Sequence, residues 1–176
     1  MLAHPRTRPP EESPPAHGSE LIRPSMVRVA VTAWGTTCFE NDAATDWFLL
    51  VEEAVDPGEV IASALDTALG DPDYHGLDAA CEAIAAAELS ASSAGHAPDR
   101  LPDDVRRWVD GHPHRPHDSE IDQAILAVQR VRAESELREL WDEDVDGRTD
   151  RWLAEIDDLI ARLRHSGAGD PATLAP

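Results

Sequence analysis

Apolar residues recur at helical intervals through the middle of the chain and lose that rhythm at both ends. Asn41 or Asp42 can cap a first helix, with a side-chain oxygen accepting from a free first-turn amide; Phe39, Trp47, Leu50, Val51 and Ala54 then follow along one face. In Asp56-Pro57-Gly58-Glu59 a cap is followed by proline at the first helical position and glutamate three residues on, which predicts a second helix to about Leu69, stopped by Gly70. After a turn over 71–76, Leu77, Cys81, Ile84 and Glu88 share one stripe of an alanine-rich third helix ending near Gly95. A short fourth helix is expected over 102–110, with Val105, Trp108 and Val109 inward and Asp103 and Asp104 suiting the amino-terminal dipole. Ser119 is expected to cap a long segment carrying Ile121, Ile125, Val128, Val131, Leu137, Leu140 and Trp141, with Ser135 the place where it can break. A last helix holds Trp152, Ile156, Leu159, Ile160 and Leu163 and ends at Gly167. The pattern predicts an all-α protein, a single compact domain of five or six helices packed by aliphatic residues and four of the five tryptophans.

The ends read differently. Residues 1–25 carry prolines at 5, 9, 10, 14, 15 and 24 among scattered polar residues, a composition that buries too little surface to offset the entropy of ordering. Residues 166–176, with two glycines and two prolines, read the same way. The expected division is a disordered or non-native extension over 1–25, a helical domain over 26–165 and a disordered tail over 166–176. Val27, Val29 and Val31 alternate like a short strand, but no later segment offers a pairing partner.

Charge narrows the function classes. A net charge of −20 repels phosphate backbones and anionic membranes at long range, so nucleic acid and membrane are unexpected partners and a basic protein is the expected one. The same charge also serves solubility alone. The absence of lysine, beside abundant alanine, aspartate and leucine, reads as coding bias. Cys38 and Cys81 are too few for a disulfide framework and fit a reducing cytoplasm; no apolar run suits a membrane span or signal peptide.

One stretch looks like a signature: Trp34-Gly35-Thr36-Thr37-Cys38-Phe39-Glu40-Asn41-Asp42-Ala43-Ala44-Thr45-Asp46-Trp47. Trp34, Gly35, Phe39, Glu40, Asn41, Asp42, Ala44, Asp46 and Trp47 resemble the opening motif of domain-of-unknown-function family 4259. The resemblance continues through Ala85-Ala86-Ala87-Glu88-Leu89 and 135–141, so that it covers most of 32–164. It implies a small bacterial cytosolic protein and brings no established activity. Thr32 stands where the family has glycine, and the family begins at the position of Val31, which leads to the expectation that the native product starts near Val31 or at Met26.

The candidate binding residues are Trp34, Glu40, Asn41, Asp42, Asp46, Trp47 and Glu88. Asp42 and Asp46, four apart, face one side of a helix and with Glu40 can form a carboxylate cluster for acid/base work or a hard metal; first-turn acids are equally expected for capping. Glu88 lies on an apolar stripe, where a charge needs a partner such as an arginine of another helix. Asp142-Glu143-Asp144-Val145-Asp146-Gly147 reproduces half of a calcium loop, but Leu153 occupies the position of the bidentate glutamate. His112, His114 and His117 alternate with prolines in what reads as a solvated loop, without the cysteine or helical pair that a zinc site needs. No catalytic nucleophile arrangement, phosphate loop, metal site or cofactor motif is recognisable. The expected function is a non-enzymatic interaction module that binds or inhibits a basic partner, in the manner of an immunity-type inhibitor; the alternative is a metal-dependent hydrolase built on Glu40, Asp42, Asp46 and Glu88.

Overall fold

The computed structural model describes residues 35–70, 76–112, 114–143 and 146–167. The expectations for 1–25, for the 27–31 alternation, for Trp34, and for all but two residues of the 166–176 tail lie outside the described residues. So do most of the 71–76 turn and Asp144 and Val145 of the acidic loop.

Among the described residues the chain is all-helical, with no strand and seven helices: α1 (Asp42–Glu53), α2 (Pro57–Gly70), α3 (Leu77–Ser93), α4 (Asp103–Gly111), α5 (Asp118–Ala133), α6 (Glu136–Asp142) and α7 (Arg148–Gly167). The seventh arises because the long fifth segment does break at Ser135. The Ser135 hydroxyl donates to the Val131 carbonyl at 2.7 Å and accepts from the Arg138 amide at 3.0 Å, closing α5 and opening α6 with one side chain. α5 starts after His117, not at Ser119. The His117 carbonyl receives the Glu120 and Ile121 amides, which places Ser119 inside the first turn. α7 reaches Gly167, two residues into the stretch read as tail, with the Ser166 hydroxyl on the Arg162 carbonyl.

α3 touches each of the other six helices. Its sequence explains why: from Ala83 to Ser93 every residue is buried, Ala83, Ala85, Ala86, Ala87 and Ala91 completely, so this part of the helix has neighbours on every side. Small side chains also let the neighbouring backbones come close. Around α3 pack Trp47 and Phe48 of α1, Ile61 and Leu65 of α2, Val105 and Trp108 of α4, Val128 and Val131 of α5, Trp141 of α6, and Trp152, Ile156, Leu159 and Leu163 of α7. On α1 the inward face is Ala44, Trp47, Phe48 and Val51, so the expected stripe is corrected at one position: Leu50 is 58% exposed and Phe48 takes its place. Phe48 is drawn in by edge-on contacts to Phe39 at 5.8 Å and Trp108 at 6.2 Å. No helix of the described residues is long and apolar enough to cross a membrane.

Candidate functional site

The signature stretch folds back on itself before α1. The Gly35 amide donates to the Glu40 carbonyl at 3.1 Å, and the Glu40 carboxylate accepts from the Thr37 amide at 3.0 Å. A Cβ on Gly35 would lie 2.6 Å from the Glu40 Cβ and closer still to its carboxylate, so the glycine is needed for close approach. Asn41 then caps α1 as its composition suggests, accepting from the Ala44 amide at 2.8 Å while its Nδ2 donates to the Cys38 carbonyl at 3.2 Å. Trp47 is buried in the core; Asp42 and Asp46 stand exposed on α1. The motif residues therefore divide between a loop brace (Glu40, Asn41), a core anchor (Trp47) and a surface (Asp42, Asp46).

Glu88 is 2% exposed and fully engaged. Arg162 of α7 grips it with Nη1 on Oε1 at 2.6 Å and Nη2 on Oε2 at 2.8 Å; Ser92 donates to Oε1 and the Cys38 thiol to Oε2, each at 3.3 Å. The same guanidinium reaches the His96 carbonyl at 3.0 Å and Asp158 at 2.8 Å. Burial opposes its charge, but the bonds to Glu88 and Asp158 outweigh that and raise its proton affinity. Burial first, and then the Glu88 charge, push the Cys38 thiol well above its ordinary value, which suits a hydrogen-bond donor and not a thiolate nucleophile. Burial likewise pushes Cys81 up to about 12. Cys38, Glu88, Asp158 and Arg162 are among the residues lining a cavity of about 530 Å³ between the signature loop, the α3–α4 connection and α7.

The histidine run does not gather. His112 stacks on Trp108 at 4.6 Å, its Nδ1 2.9 Å from the Trp108 carbonyl. His114, expected in a solvated loop, instead meets Glu120 at 3.1 Å with its side chain 19% exposed, and Glu120 also accepts from Ser90 at 2.7 Å. In the acidic loop, Asp142 pairs with Arg138 one turn earlier, and Leu153 packs on the core. Among the described residues no three His, Cys, Asp or Glu side chains converge as a metal site would require.

Compared with known families, residues 32–155 match the model described as Domain of unknown function (DUF4259). The chain belongs to that family. No curated protein and no solved structure matches it. The match spans the signature loop and Glu88, and it stops within α7 before Arg162.

Two features of this DUF4259 chain escaped the reading of helical pattern. Arg162 could not be paired with Glu88 from spacing, since the two are 74 positions apart. The other feature was visible in the sequence: no arginine or lysine occurs between Arg28 and Arg100, while the arginines from Arg100 to Arg164 all follow α3. The packing turns this asymmetry into a surface. Asp42, Asp46, Glu52, Glu53, Asp56 and Glu59 are all exposed on α1, on the short connection and at the start of α2, beside Leu49, Leu50 and Val55, which are 51%, 58% and 104% exposed.

Proposed function

We propose that the domain is a non-enzymatic interaction module that binds, and by binding inhibits, a basic protein partner through its α1–α2 face. One observation supports this most directly: a surface rich in exposed carboxylates, built from a run of sequence that holds no arginine or lysine, with large apolar residues exposed among the acids. Unneutralised carboxylates on one face create a field that attracts cations and speeds encounter, and apolar groups beside them supply the contact that persists after water is expelled. Three of the four large apolar residues that stand exposed among the described residues, Leu49, Leu50 and Val55, belong to this face; the fourth is Leu126 of α5.

Asp42 and Asp46 take part directly in this reading, as the acids nearest the signature loop. Glu40, Asn41, Trp47 and Glu88 serve indirectly, by fixing that loop and α1 against α3. Trp34 lies outside the described residues.

The test is affinity capture from the native host at low and high salt, with the Asp46→Arg/Glu53→Arg/Glu59→Arg variant in parallel. A discrete basic protein retained by the parent at low salt, and lost both in high salt and with the variant, supports the reading. Capture that is indifferent to charge reversal overturns it.

A further inference from the structure

The α1–α2 face contains a groove of about 570 Å³. From Asp56, just before α2, to Thr67 its lining residues recur at helical spacing, about three turns or 16 Å of one stripe. From α1 come Trp47 and Leu50, with Ala54 and Val55 just past its end. The two stripes, on neighbouring helices, line one open groove. Its floor is apolar or small, with Val60 and Ala64 beside Trp47 and Ala54; its lining carries Asp56, Glu59 and Glu82 and no arginine or lysine. Glu82 is partly buried; burial first, and then the Asp78 charge, raise its carboxyl above the ordinary value.

Resting on the functional reading above, we infer that this groove is the contact site itself, and that its occupant is a basic amphipathic helix of the partner, about three turns long. The length follows from the α2 stripe. The amphipathic character follows from the combination of apolar floor and acidic lining: apolar side chains at one-turn spacing pack on Leu50, Val60 and Ala64, and arginines or lysines flanking them meet Asp56, Glu59 and Glu82. A second copy of this chain is a poor occupant, because a two-fold contact sets the acidic lining against itself.

The probe is a synthetic peptide of about 15 residues, leucine at i, i+3, i+4 and i+7 with arginine at the exposed positions, compared with a scrambled peptide of identical composition. Binding to the full chain is followed by calorimetry at low salt. The ordered peptide is expected to bind about tenfold or more tightly than the scrambled one. Leu50→Asp, at an exposed site that leaves helicity and melting unchanged, is expected to remove that preference. Glu59→Arg is expected to weaken both peptides. Equal binding of the two peptides, or a preference that survives in Leu50→Asp, overturns the groove while leaving charge attraction to the face intact. Failure of both peptides to bind the parent protein at low salt overturns both readings. Elution of the parent as a dimer and of Leu50→Asp as a monomer assigns the groove to a second copy and overturns the proposed occupant.

Discussion

Glu88 and Arg162, 74 positions apart, meet through two hydrogen bonds of 2.6 and 2.8 Å, and the carboxylate they share also receives the Cys38 thiol. One buried charge pair therefore ties three parts of the chain together: the signature loop, the central helix α3 and the carboxyl-terminal half of α7. A two-pronged arginine–carboxylate contact fixes orientation as well as distance, which packing among alanines does poorly.

Breaking that pair from one side is expected to be costly. Arg162→Met leaves Glu88 buried without a counter-charge and should destabilise the fold by about 3–5 kcal/mol. Glu88→Met/Arg162→Met removes both charges and should recover most of that loss. Chemical denaturation of the two variants checks this, and equal losses in both would show that the pair is not what holds α7.

Gly35→Ala should destabilise by about 1–3 kcal/mol, since the new Cβ meets the Glu40 Cβ at 2.6 Å and the loop has to open to admit it. Thermal melting reads the cost. Hydrogen exchange at the Thr37 amide, which donates to Glu40, should rise in the same variant.

Trp47 is 4% exposed and packed in the core, so Trp47→Ala should cost about 3–5 kcal/mol. A variant that melts like the parent yet loses a partner would make this tryptophan a contact residue instead.

His114 and Glu120 make stability depend on pH in a defined window. The hydrogen bond to Glu120 raises His114 above 6.5 against an opposing effect of burial, with Asp56 adding to the rise and Arg115 subtracting from it. For Glu120, burial alone would raise the carboxyl, but the bonds from His114 and Ser90 win and hold it below 4.5. A raised histidine contributes fully below its unfolded value and loses that contribution as pH climbs through its folded value. A lowered carboxylate contributes above its unfolded value and loses it as pH falls. Their joint contribution is therefore greatest between about pH 4.5 and 6.5. His114→Gln should cost most in that window and progressively less above it, as read by denaturation midpoints across pH.

Calcium is not expected to bind the 142–147 segment with micromolar affinity. Asp142 is already paired with Arg138, and Leu153 supplies no oxygen where two are needed. A calorimetric titration in which Asp142→Ala abolishes a measured heat would contradict this.

Most helix boundaries could be read from the chain, because they depend on groups within one turn of each other. Asn41 caps α1 and Asp56 accepts from the Gly58 and Glu59 amides at the start of α2, both through local side-chain to backbone bonds. Ser135 can stop one helix and start another for the same reason. The charge asymmetry was equally local, being a run of residues without a cation. Pairing decided the rest. Whether Leu50 or Phe48 turns inward depends on Phe39 and Trp108 waiting on one side of α1, and no spacing rule contains that information. The partner of Glu88 depends on α7 crossing α3 at the right height. Composition made the chain acidic and the spacing of apolar residues made it helical; the packing of α1 and α2 over α3 put carboxylates and exposed leucines on one face, because only a folded helix pair sorts neighbours in sequence into inside and outside.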